Sequence, residues 1–208
     1  MKACLISGSL RGAQSSSHQF LQDLSARLTA AGIDLERGTV RADPRSPYLE
    51  GFPGAMHEAD AIVFAFPLFT YSLPGALTRL LEDLSARAGR KARTVPIKVF
   101  AIINCGFPRP RICADAIRVI RNFCQRLGYD YRFSVAIGGG PVTVLTRKVP
   151  VLNRDLKRAY DRIVDEIRGV DPGGTGDVYV KPVVPERILL WIKDRYEQKT
   201  PTLRREPA

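Results

Sequence analysis

Short apolar runs alternate along the chain with longer segments in which apolar residues recur at helical spacing. Lys2 to Ile6 predicts a first strand, and the polar stretch Ser7 to Gln14 a loop. Phe20, Leu21, Leu24 and Leu28 then mark a helix from about Ser15 to Ala31. Ile33 to Glu36 reads as a weak second strand, and Thr39 to Pro53, rich in Pro, Arg, Asp and Ser, as an irregular connection. Ala59 to Phe66 (ADAIVFAF) is nearly all apolar, the mark of a central parallel strand covered on both faces. Leu73, Leu77, Leu80, Leu81 and Leu84 place a helix over about Leu73 to Arg87, and Ile97 to Asn104 is the next strand. Ile112, Ala116, Val119, Ile120, Phe123 and Leu127 predict the helix after it, and Tyr131 to Ile137 a fifth strand. Leu152, Leu156, Ala159, Tyr160, Ile163 and Ile167 mark the last long helix. A Gly/Pro loop over Val170 to Val183 and a short helix over about Pro185 to Tyr196 complete the pattern.

Five strands alternating with helices predict an α/β fold, a parallel sheet with helices on both faces. The 208 residues suit one domain with a buried core, and neither an internal repeat nor a shift in composition divides them. Residues 1–170 form the expected domain, and 171–208 an appended loop and helix. Hydrophobic residues make up 45% and charged residues 25%, which is ordinary globular usage and excludes a disordered or disulfide-scaffold class. The apolar runs at the start and at Ile188 to Ile192 are too short to span a membrane. Cys4, Cys105, Cys113 and Cys124 form no CxxC pair, and His18 and His57 add no zinc-ligand spacing. Cys4 and Cys124 lie in apolar or helical-core patterns, so a reducing, cytoplasmic setting is expected. The formal charge of +11 is spread rather than blocked, densest over Arg87 to Arg93 and at Arg204 and Arg205. Without an aromatic-interleaved basic stripe, it reads as solvated surface charge with some attraction of anionic cofactors rather than as a nucleic-acid surface.

In an open α/β sheet the ligand lies beyond the carboxyl ends of the strands. The loop after the first strand, SGSLRGAQSSSHQF, carries Ser9, Ser15, Ser16, Ser17 and the cation Arg11, and it opens directly into a helix. Free N–H groups and the helix dipole there suit a phosphate, although Ser15 or Ser16 also serves as an ordinary cap. No GxGxxG follows this strand and no GxxxxGK[ST] occurs, which argues against a dinucleotide-binding unit and a P-loop. After the ADAIVFAF strand, PLFTYSLPGAL holds Phe69 and Tyr71 on a proline-stiffened loop, with Ser72 placed to cap the next helix. These rings either wall a flat ligand or pack on a neighbouring loop or subunit. NCGFPRPR offers Asn104, the small Cys105, a close backbone approach at Gly106 and the ring of Phe107. Neither histidine has the context of a base paired with Cys105, so no nucleophilic role is assigned to it. IGGGP after the fifth strand either brings backbone to a ligand or makes a simple turn.

GSLR with SSS, the ADAIVFAFPLFTYSLPGAL segment, NCGFPRPR with its NFC helix, and IGGG occur in order. Together they resemble the NADPH-dependent FMN reductase family of the flavodoxin-like superfamily over roughly residues 1 to 145. Leu10, Ser16, Phe69 and Gly75 stand where the family has proline, asparagine, tyrosine and alanine. The resemblance implies a three-layer sandwich with strand order 2-1-3-4-5 and FMN across the strand ends. It implies that Ser9, Arg11, Ser15, Ser16 and Ser17 hold the phosphate. Pro67, Leu68, Phe69, Thr70 and Tyr71 would border the isoalloxazine from one loop, and Asn104, Cys105, Gly106 and Phe107 from the next. The implied function is an NAD(P)H-dependent oxidoreductase passing a hydride to the flavin and electrons to a quinone, azo compound, flavin or metal ion. It requires no essential side-chain acid. The implied assembly is a homodimer or homotetramer; the segment around Trp191 either serves that interface or covers the sheet edge. The rival classes are an electron carrier without NAD(P)H turnover and a flavin-free binding module.

Overall fold

The computed structural model describes residues 1–40, 56–87, 95–149, 152–170, 176–182 and 187–188. The strands are β1 (Lys2–Ser7), β2 (Asp34–Thr39), β3 (Ala61–Pro67), β4 (Lys98–Asn104), β5 (Asp130–Ile137) and β6 (Val178–Val180). The long helices are α1 (Ser16–Ala30), α2 (Gly75–Arg87), α3 (Ala114–Leu127) and α5 (Arg154–Arg168), with a short α4 (Gly140–Thr146) after β5. All strands are parallel in the order β2-β1-β3-β4-β5-β6. This is the expected flavodoxin-like arrangement with one more strand at its edge.

Two-residue periodicity in the strands builds two cores. Cys4, Ile6, Ile62, Phe64, Phe66, Val99 and Ile103 point to the face covered by α2 and α3, where Leu77, Leu81, Ile120 and Phe123 meet them. Ala3, Leu5, Val63, Ala65, Phe100 and Ile102 point to the opposite face, against Phe20, Leu24 and Leu28 of α1 and Leu156, Ile163 and Ile167 of α5. Because β1, β3 and β4 are covered on both sides, their sequences lose polar alternation and read as unbroken apolar runs. None of the described helices is long and apolar enough to cross a membrane.

The sequence reading needs correcting in five places. The described residues hold six strands rather than five, because Val178–Val180 inside the Gly/Pro segment pairs with Val135–Ile137. Asp177 anchors it, accepting from Ser134 N (2.9 Å) and Tyr131 Oη (2.5 Å) and pairing with Arg121 Nη2 (2.9 Å). β2 runs to Thr39, beyond the expected Glu36; as an edge strand it is set by its ladder with β1 rather than by buried side chains. The helix expected from Leu73 starts at Gly75, where the carbonyl of Pro74 accepts from Leu77 and Thr78 N–H. Ser72 therefore does not lead the helix; its backbone instead closes a turn with Phe69. IGGG is no simple turn, since Gly140 begins α4. The remainder of the Thr39 to Pro53 connection, the Arg90–Lys91–Arg93 cluster, Trp191 and nearly all of the final helix lie outside the described residues.

Candidate functional site

The segment after β1 is held close to its neighbours. Gly8 N–H donates to Ala65 O at 2.7 Å, and a Cβ on Gly8 would stand 2.8 Å from Phe66 Cβ and 2.9 Å from Leu77 Cδ2. Glycine is the residue that fits. Ser9 is buried, and its Oγ accepts from Arg11 N–H at 3.4 Å. One turn of 3-10 helix (Gly12–Gln14) brings the chain into α1, with Gly12 at a φ of +56° that disfavours a side chain. Ser15 is the N-cap: its Oγ accepts from His18 N–H (3.1 Å) and donates to Gly12 O (2.8 Å). The first N–H groups of a helix have no acceptor within it. With His18 capped by Ser15, the N–H groups of Ser16 and Ser17 remain without an acceptor inside the helix. Arg11 is exposed in the loop that leads into this helix. The Ser17 hydroxyl is buried and donates to Asn104 Oδ1 at 2.6 Å, which fixes α1 to the end of β4.

Asn104 is the junction of the strand ends. Its carbonyl accepts from Leu68 N–H (2.8 Å) and its side chain from Ser17, while Gly140 packs so closely that a Cβ there would lie 3.0 Å from Asn104 Nδ2. Pro67 and Leu68 are half-buried beside it. Phe69 and Ser72 exchange backbone hydrogen bonds at 2.9 Å in both directions. Thr70 and Tyr71 turn between them with φ of +48° and +63°. Two successive non-glycine residues in this region, one of them β-branched, store strain of the kind found at ligand-handling sites. Phe69 and Tyr71 are 65% and 59% exposed, and Phe107 of the next loop is 46% exposed, so three rings stand open at neighbouring strand ends. Gly106 lies exposed between Cys105 and Phe107.

Cys105 is buried, with its Sγ 3.4 Å from Phe107 O and 3.7 Å from Ile137 O. The neighbouring thiol is Cys113, which hydrogen bonding to Cys105 and burial together hold far above the ordinary thiol range. A thiol turned into the protein beside another thiol is placed for packing. Gly138 and Gly140 are likewise internal: a Cβ on Gly138 would lie 2.6 Å from Pro108 O. Gly139 N–H donates to Phe107 O (2.7 Å) and Gly140 N–H to Cys105 O (2.8 Å). The glycine run thus brings backbone to the NCGFP loop rather than to open space. Sequence reasoning missed the joining role of Asn104 and the left-handed pair Thr70–Tyr71. Spacing carries no signal for either.

Comparison with known proteins follows the same lines. Residues 1–119 match the family described as NADPH-dependent FMN reductase. Among solved structures, the NAD(P)H:quinone oxidoreductase from Methanothermobacter marburgensis is 16% identical, covers 84% of this chain and 98% of its own, and gives a TM-score of 0.58. General stress protein 14 from Treponema denticola, in complex with FMN, is 14% identical over 80% of this chain and 98% of its own, with a TM-score of 0.59. RosB with bound 8-demethyl-8-formylriboflavin-5′-phosphate is 15% identical over 100% of this chain and 96% of its own, with a TM-score of 0.64. At these identities the likeness is one of fold. No curated protein matches the sequence.

Proposed function

The chain belongs to the NADPH-dependent FMN reductase family, and on that premise we propose that it is an FMN-dependent NAD(P)H oxidoreductase serving a small-molecule acceptor. The observation that carries this reading is the start of α1, where the Ser16 and Ser17 N–H groups have no acceptor within the helix, with exposed Arg11 in the loop that leads into it and Phe69, Tyr71 and Phe107 exposed after β3 and β4. That donor set fits a dianionic phosphate, and the open rings fit a flat ring system.

When bound, FMN supplies the hydride and electron transfer between NAD(P)H and the acceptor. The chain's own part is binding, orientation and control of access. The start of α1 and Arg11 would hold the phosphate, while Ser15 and Ser17 act one step back, the first by capping α1 and the second by tying it to Asn104. The ring system would lie along Pro67 to Tyr71 on one side and Gly106 and Phe107 on the other. Asn104 and Cys105, buried beneath, set the distance between these two walls. A homodimer or homotetramer would cover the exposed rings.

The test is an absorption spectrum of protein soaked in FMN and desalted, followed by NADPH or NADH without oxygen. Oxidised-flavin bands that bleach on adding the nucleotide are the expected result, and Arg11→Ala should retain FMN about tenfold less tightly, or about 1.4 kcal/mol. Flavin that binds without bleaching would make the protein a carrier. A protein that never retains FMN would end the flavin reading altogether.

A further inference from the structure

On the sheet face covered by α1 and α5, a groove of about 450 Å³ opens between these helices and the end of α4. Asp23 lies at its near end, more than two turns along α1 from Ser15, or about 12 Å of helix. The groove is thus separate from the strand-end loops.

Its electrostatics are one-sided. Arg27, Arg147, Lys148 and Lys157 line it against the single carboxylate of Asp23. Arg147 is held from three sides: Nε stands 3.1 Å from Asp23 Oδ2, Nη1 donates to Val144 O (2.6 Å) and Nη2 to Gln19 Oε1 (2.6 Å). Arg27 pairs with Asp161 and lies over the Tyr160 ring at 5.9 Å. Among the described residues no carboxylate lies within ion-pair distance of Lys148 or Lys157. Two guanidinium groups are therefore fixed in the walls, and two ammonium groups are left to turn toward a ligand.

Tyr160 adds an independent observation. It lines the groove at 2% exposure, and its hydroxyl is buried with no hydrogen-bond partner among the described residues. Buried hydroxyls are nearly always paired, so one left unpaired on a residue that lines a cationic groove points to an acceptor supplied from outside. Burial first, and then Asp23, keep this phenol protonated well above its ordinary range, and it remains a donor at neutral pH. Ala26, Ala30 and Leu156 give the same groove apolar wall.

We propose that this groove is a second ligand site, taking a small organic oxyanion whose charged head meets Lys148, Lys157 and the Tyr160 O–H and whose apolar body lies along Leu156. The two sources of such a head are a phosphate monoester and a carboxylate. Neither the match over residues 1–119 nor the proposed FMN site includes Arg147, Lys148, Lys157 or Tyr160, so the inference stands apart from the flavin reading.

The experiment is an amide NMR titration of the full chain, soaked in FMN and then desalted so that no free FMN remains, using phenyl phosphate, benzoate, inorganic phosphate and phenol as probes. Phenyl phosphate or benzoate should shift the amides of Ala26, Ala30 and Lys157 with a Kd of about 1 mM or tighter. The tighter of the two identifies the head group. Inorganic phosphate lacks the body and phenol the charge, and each should bind about tenfold more weakly. Tyr160→Phe, which removes only an unpartnered hydroxyl, and the surface double variant Lys148→Gln/Lys157→Gln should each weaken the better probe about tenfold while keeping the wild-type spectrum. Shifts confined to the amides of Ser9 to Ser17, no shift with any probe, or equal affinity in the variants would overturn the proposal. A protein that retains no FMN but still shows the groove shifts would fail the flavin reading and leave this one standing.

Discussion

Asn104 receives Leu68 through its carbonyl and Ser17 through its side chain, so one residue joins the ends of β3 and β4 to the first turn of α1. Its amide and its strand-end position are readable from sequence; the identity of its partners is not. The cysteines give the opposite case. Cys4 and Cys124 sit in apolar patterns, and both are fully buried as that predicts. Burial penalises the thiolate and pushes Cys4 up to about 11 and Cys124 up to about 12. Their ordinary value is 9.0, so both raise stability below that pH and lose this contribution as pH rises through 9 toward 11 to 12. Alkaline unfolding followed by circular dichroism should show this loss, and Cys4→Ala should flatten the curve between those limits. A thiol reagent should label four cysteines in denaturant and none rapidly in the native protein, because all four are buried and unbridged.

At the scale of elements, the segment between β3 and α2 departs most from local preference. Thr70 and Tyr71 occupy the conformation that two-residue hairpin turns reserve for Asn-Gly. Left-handed backbone costs an ordinary residue about 1–2 kcal/mol. Thr70→Asn/Tyr71→Gly should therefore stabilise the fold by about 1 kcal/mol and raise the melting temperature by about 2–4 °C. The same change removes one exposed ring from the proposed flavin wall, so FMN affinity should fall as stability rises. A variant that loses stability would show that the strain argument is wrong. β6 illustrates the reverse relation between sequence and element. Three residues among glycines and prolines form a strand because β5 offers an unpaired edge and Asp177 bonds to Ser134, Tyr131 and Arg121.

For the whole molecule, the excess of 32 Lys and Arg over 21 Asp and Glu sets a positive field. An anionic cofactor approaching such a surface is steered by it, and salt screens the effect over about 10 Å at 0.1 M ionic strength. Stopped-flow quenching of FMN fluorescence should show an association rate that falls several-fold between about 0.01 M and 0.5 M salt, with dissociation changing little. An association rate independent of salt would assign the charge to another task, such as solubility or the α1–α5 groove.

The apolar runs of β1, β3 and β4 and the leucine stripes of α1 and α2 were legible because burial is written into hydrophobic periodicity, and their order fixed a parallel α/β sheet. That the Ser/Arg loop opens into α1 at Ser15 was legible because a helix N-terminus is marked by its own local cap residues. Tertiary structure alone decided the reach of β2 and the existence of β6, since an edge strand is specified by a neighbour's free backbone groups rather than by its own side chains. It also decided that Ser17 serves Asn104, that Gly138 and Gly140 face inward, and that Tyr160 reaches a cationic groove. Each depends on residues far apart in the chain and brought together only when the two cores close.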